Sequence, residues 1–140
     1  MKWKFKRNEW NAKEEKLVSV ETNYKFNRTL LIEKAYKDET GEDLSEQLGF
    51  IQETLLDADQ DKTADNFDEE SYKEANQRVN TLEWHDTLVE VLAWLWYDLD
   101  KNGAIIQNEN TRSRFIELIE EDDEIGVHAL ILDMFRRIRG

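Results

Sequence analysis

Polar and apolar residues alternate through the first stretch of the chain: Trp3 and Phe5 sit between Lys2, Lys4 and Lys6, and Val18, Val20, Thr22, Tyr24 and Phe26 are spaced by two. A period of two belongs to a strand, so residues 1–26 read as a β-hairpin region. Two strands alone are marginal in water, so the apolar face of the hairpin needs cover from the helices that follow or from another subunit. From Asn27 the period becomes helical, with Leu31, Ile32, Ala35 and Tyr36 on one side and Gly41 as terminator. Asp43 can cap a second helix, Glu46 being its reciprocal partner three residues on, and Leu44, Leu48, Ile51 and Leu55 follow at helical spacing. Residues 57–68, DADQDKTADNFD, have almost no apolar content and read as a solvated, mobile loop. Asn66 with Glu69 then opens a polar helix that runs to about residue 79.

The segment 82–99 is the richest in apolar residues. Leu88, Leu92, Leu95, Trp96 and Leu99 form one stripe of a helix, while Trp84, Val89, Val91, Trp94 and Tyr97 spread apolar surface around the cylinder. Such a helix is either central in the domain or buried in an interface. The run Trp94-Leu95-Trp96-Tyr97 cannot turn all of its large rings to one core, so at least one should meet a partner. After Asn102-Gly103, Asn110 or Thr111 should cap a helix carrying Phe115, Ile116, Leu118 and Ile119. The last helix is the cleanest, with Val127, Leu130, Ile131, Met134, Phe135 and Ile138 on one face and Arg136, Arg137 and Arg139 at its negative end. The fold class is therefore mainly α, a small helical domain with a short N-terminal β-hairpin. Residues 1–140 read as a single domain whose helical body spans 27–140.

Composition sharpens this picture. With 36% charged residues against 39% apolar ones, the surface must be crowded with charge. The net charge of −13 is uneven: residues 1–37 hold ten Lys and Arg against five Asp and Glu, residues 38–135 hold six against 27, and residues 136–140 add three Arg. An acidic body flanked by basic ends repels phosphates, which disfavours nucleic acid and suits a basic protein partner or head-to-tail packing of copies. There is no Cys, which excludes disulfides, thiolate metal sites and cysteine nucleophiles. No apolar run reaches the ~20 residues of a membrane span, and MKWKFKRNEW lacks the apolar centre of a signal peptide, so no membrane association is expected.

One segment carries metal chemistry. Residues 98–109, DLDKNGAIIQNE, match the calcium-loop pattern of EF-hands, with Asp98, Asp100, Asn102, the Ala104 carbonyl and Glu109 at the ligand places and Gly103 at the turn. The flank disagrees: the exiting helix should be apolar one, four, five and eight places after Glu109, where Asn110, Ser113, Arg114 and Glu117 stand. A helix starting at Asn110 or Thr111 would leave Glu109 outside the element meant to aim it. The other reading is a polar connection in which Asn-Gly makes the turn. His85 and His128 have no zinc-site pattern, and Glu124 one turn before His128 suggests a surface pair. No serine has a nucleophile-elbow context and no glycine-rich phosphate loop is present, so no catalytic or cofactor-binding residue is expected.

Residues 24–48, YKFNRTLLIEKAYKDETGEDLSEQL, in which an apolar and acidic helix ends at Thr-Gly and an Asp/Glu-Leu restarts the next, resemble the tail assembly chaperones of long-tailed bacteriophages. VEVLAWLWYDL at 89–99 and FIELIEE at 115–121 add to the resemblance, which covers about half of the chain. It implies a mainly helical protein without catalytic residues. Such a protein works in the cytoplasm of the bacterial host, associates into rings or spirals, and shields the helical tape measure protein until the tail tube forms around it. Trp84, Trp94, Trp96, Tyr97, Ile131 and Phe135 are the residues expected to meet the client or another copy. Two other readings stay open: an EF-hand-like protein that takes Ca²⁺ in loop 98–109, and an acidic DNA mimic that inhibits a host nuclease.

Overall fold

Side chains that cap helix ends set most of the boundaries in this fold. The computed structural model of the chain describes residues 3–11, 13, 16–121 and 126–139, with side chains for 13, 25–121 and 126–136. Strands β1 (Trp3–Asn11) and β2 (Lys16–Tyr24) pair antiparallel, Trp3 opposite Tyr24 and Asn11 opposite Lys16. The faces taken by their alternating side chains lie outside the described residues. Helices α1 (Leu30–Thr40), α2 (Leu44–Ala58), α3 (Glu69–Val79) and α4 (Leu82–Leu95) follow, then a short hairpin of β3 (Asp98–Leu99) and β4 (Ile105–Ile106), then α5 (Glu109–Glu121) and α6 (Val127–Arg139). The chain is mainly helical with an N-terminal hairpin. It divides into two compact units, Thr29–Val91 and Met1–Arg28 with Leu92–Gly140.

In the unit Thr29–Val91, the hydroxyl of Thr29 accepts from the Ile32 amide at 3.1 Å and starts α1 three residues later than the apolar period suggests. Gly41, at φ 77°, closes the helix by donating to the Lys37 carbonyl, a left-handed position that a side chain would strain. The buried stripe of α1 is Ile32 and Tyr36, and Leu31, expected beside them, faces solvent. Asp43 caps α2 as expected, accepting from the Glu46 amide at 3.1 Å. The buried face of α2 is Leu44, Leu48, Ile51 and Thr54, one turn-related stripe, with Leu55 only half-buried. Gly49 stands in the interior of this helix, where glycine costs about 1 kcal/mol relative to alanine.

The acidic segment after α2 is mostly exposed, but it is tied to itself. Gln60 donates to the Asp57 carbonyl at 3.1 Å and accepts from the Asp68 amide at 2.9 Å, and Asp61 accepts from the amide and the hydroxyl of Thr63. Asp68, and not Asn66, caps α3, accepting from the Ser71 amide at 3.2 Å. At residues 80 and 81 the helix breaks; the Thr81 hydroxyl accepts from the Trp84 amide at 3.1 Å, and α4 starts afresh. Trp84, Leu88 and Val91 are its buried positions in this unit, and the Trp84 ring meets Phe50 edge-on at 6.3 Å.

The other unit is built around the end of α4. The Leu95 carbonyl accepts from the Asn27 amide at 2.8 Å, and the Tyr97 amide donates to the Lys25 carbonyl at 3.0 Å. Gln107 adds its amide group to the carbonyls of Asn27, Trp94 and Leu95, at 3.0 to 3.2 Å. A helix leaves its last four carbonyls without partners, and these donors take two of them. The helix read over 82–99 therefore stops at Leu95, and Leu99 lies on a strand. Trp96 turns inward, pairs with Phe26 through a backbone bridge, and packs its ring 5.7 Å from that of Phe115. Phe115 and Leu118 from α5 and Leu130, Ile131 and Met134 from α6 complete this core.

Replacing Gln107 by Leu keeps the bulk and removes the donor that serves three carbonyls. The Leu95 carbonyl keeps the Asn27 amide, but those of Asn27 and Trp94 lose this donor, and an unpaired acceptor away from water costs roughly 1–3 kcal/mol, so the urea midpoint of Gln107→Leu should fall by that equivalent while Asn108→Gln, at the neighbouring cap, falls less.

Candidate interaction surface

The residues expected to meet a partner are for the most part inside the chain. Trp84, Trp94, Trp96 and Ile131 are buried, and Tyr97 and Phe135 are half-buried. The reason lies in the helix end at Leu95. A helix carried to residue 99 would have to point Trp94 and Trp96 in different directions; once the backbone leaves helical geometry, Trp96 swings into the core. Trp94 is covered separately, since the Arg112 guanidinium lies 3.7 Å over the centre of its ring. The tryptophans of α4 are thus covered within this chain.

The exposed apolar surface is elsewhere. Leu30 and Leu31 open α1 at 84% and 80% exposure, and Leu82 opens α4 at 84%. Phe50 and Leu56 on α2 are also exposed, so five of the eight large apolar side chains exposed among the described residues belong to the unit Thr29–Val91. Charge is partitioned in the same way. Residues 29–91 hold five Lys and Arg against 18 Asp and Glu, a balance of −13, whereas the remaining residues hold 14 of each. The whole net charge of the protein therefore sits in the unit that exposes Leu30, Leu31, Leu56 and Leu82.

The calcium-like segment 98–109 folds as a closed hairpin. Asp98 pairs with Ile106 and Leu99 with Ile105, and Gly103, at φ 80°, occupies the left-handed place after the turn. Asp100 turns its carboxylate back on the loop, accepting from the Asn102 and Ala104 amides at 2.8 and 2.9 Å. Asp98 is engaged with Arg114 at 3.1 Å. Asn108, not Asn110 or Thr111, caps α5: its side chain accepts from the Thr111 amide while the Thr111 hydroxyl accepts from the Asn108 amide. This brings Glu109 inside the helix as its first residue, contrary to the expectation that it lies outside. The donors stay apart, and no group of three or more His, Cys, Asp or Glu suited to a metal ion occurs among the described residues. His85 and His128 are both exposed, and Glu124 lies outside the described residues.

An open cavity of about 290 Å³ lies in the unit Thr29–Val91, lined by Tyr36, Thr40, Glu42, Gln47, Thr87 and Glu90. The Tyr36 hydroxyl donates to Glu42 Oε2 at 3.4 Å. Burial, and then the negative charges of Glu42 and Glu90, push the Tyr36 phenol up to about 12.

Compared with family models, with curated proteins and with solved structures, the chain matches none. No helix among the described residues is long and apolar enough to cross a membrane.

Two measurements follow from this geometry. Because the folded phenol of Tyr36 titrates at about 12 and an unfolded one at 10.0, its contribution to stability is whole below about pH 10 and is lost as the pH rises to about 12. Denaturant titrations across that interval should show a loss in the wild type that Tyr36→Phe reduces. Calorimetric titration with Ca²⁺ should give only the heat of dilution, since Asp98 and Asp100 are already engaged; a heat abolished by Glu109→Gln would show that the loop opens to take the ion.

Proposed function

We propose that this chain is a non-enzymatic assembly chaperone of the long-tailed bacteriophage type, which associates with its own copies and covers helical segments of the tape measure protein in the bacterial host cytoplasm before the tail tube forms. The observation that carries this reading is the exposure of Leu30, Leu31 and Leu82 at the starts of two helices, in the unit that holds the net charge of −13. Burying one leucine fully is worth about 1.5–3 kcal/mol, so three such side chains left in water give another polypeptide a substantial gain for covering them. The carboxylates around them keep the uncovered protein from precipitating and attract basic segments. The contact residues in this reading are the exposed Leu30, Leu31 and Leu82, in place of the buried tryptophans and Ile131.

The test is light scattering on the purified chain together with co-purification of a tape measure fragment. The expected mass is a multiple of 16.7 kDa, and the double variant Leu30→Glu with Leu31→Glu should lose both the larger mass and the fragment. A salt-independent monomer that ignores the fragment overturns the proposal.

A further inference from the structure

We infer that the solvent face of α2, from Glu46 to Leu56, is the docking site for a basic amphipathic helix of another protein. The inference rests on the reading of the chain as a binder of helical segments, and it names the face and the chemistry of what lies on it. Opposite the buried stripe of α2, residues Glu46, Gly49, Phe50, Glu53 and Leu56 are exposed at i, i+3, i+4, i+7 and i+10, which sets them along one side of the cylinder.

Gly49 is the residue that nothing among the described residues requires. It lacks the positive φ of Gly41 and Gly103, and a Cβ built on it meets no atom within 4 Å. Neither backbone conformation nor internal packing accounts for a glycine that weakens the helix. A neighbouring backbone that comes close at this point does, because the missing side chain leaves a notch in the face. Two apolar anchors follow the notch along the helix. Leu56 is 66% exposed, and Phe50 keeps 41% of its surface in water while its ring is held between the Arg78 guanidinium, 4.8 Å from the ring centre, and the edge-on ring of Trp84. Phe50 is thus already ordered before anything binds, which lowers the entropy lost on contact.

The charges select the occupant. Glu46 stands one turn before the notch and Glu53 between the two anchors, on a unit of net charge −13. A second copy presenting the same face would bring carboxylate against carboxylate, whereas a helix with leucines on one side and lysines or arginines beside them meets the anchors and the carboxylates together.

Calorimetry on the full chain decides the matter, with a synthetic leucine–lysine amphipathic helix as probe and its leucine–glutamate counterpart as control. The lysine peptide should bind and the glutamate peptide should not. Gly49→Gln should raise the thermal midpoint, because the added side chain helps the helix, and yet weaken the lysine peptide by about tenfold or more. Glu46→Lys with Glu53→Lys should weaken it far more than Glu74→Lys with Glu117→Lys, which changes the net charge equally on α3 and α5. If Gly49→Gln and the Glu46/Glu53 pair bind the peptide like the wild type, the face is wrong and the proposed function still stands on the exposed leucines. If the wild type binds neither peptide, the inference falls, and the result with the tape measure fragment then judges the proposed function by itself.

Discussion

The carbonyl of Leu95 is the point on which the surrounding structure turns. A helix end inside a folded chain must find donors for carbonyls that its own turns no longer reach. Here the Asn27 amide and the side chain of Gln107 supply them. That arrangement stops α4, sends Trp96 into the core beside Phe115, and keeps the segment 25–28 extended so that α1 starts only after Thr29. Without it, the apolar run of α4 would continue as helix and carry a tryptophan into water. The closure has a cost of its own: the indole Nε1 of Trp96 is buried without a hydrogen-bond partner among the described residues.

The acidic residues serve two purposes that composition cannot separate. Some are structural acceptors. Asp43 and Asp68 cap helices, and Asp61 holds the turn that follows α2. The Thr63 and Ser71 hydrogen bonds that Asp61 and Asp68 accept hold both carboxyls below the usual carboxylate range. Others, such as Glu46 and Glu53, are engaged in no comparable cap and define the field that an approaching protein meets. The balance of −13 over residues 29–91 is thus partly a consequence of how the helices begin, and only the remainder is left to choose a partner.

Much of the fold was legible in the sequence because it depends on neighbours three or four residues apart. The Asp43 cap, the Gly41 stop, the N-terminal hairpin and the buried Val127, Leu130, Ile131 and Met134 of α6 all follow from local spacing, while the Ile138 side chain lies outside the described residues. What failed depended on partners remote in the chain. Nothing within 82–99 announces that Asn27 and Gln107 will end the helix, so the local pattern places Trp94 and Trp96 at a contact surface although both are buried. The shift of the α5 cap to Asn108 arises from a reciprocal pair with Thr111 that was readable, since Asn-x-x-Thr has the spacing of a capping box, but the calcium pattern claimed the same residues. Leu31 is exposed although its helical register places it with Ile32 and Tyr36, because the rule that apolar residues are buried holds only in one direction.

The bond between Gln107 and Asn27 joins residues 80 positions apart. The unit Thr29–Val91 is continuous, whereas its counterpart is assembled from two stretches separated by that whole unit. Closing a long flexible loop carries an entropic penalty that grows with its length, and a segment already folded shortens the loop that has to be closed. Order of assembly follows from this arithmetic. The acidic helices can condense as soon as they leave the ribosome, and residues 25–27 must wait for residues 92–140 to arrive before their backbone finds its partners, so a segment made early settles late.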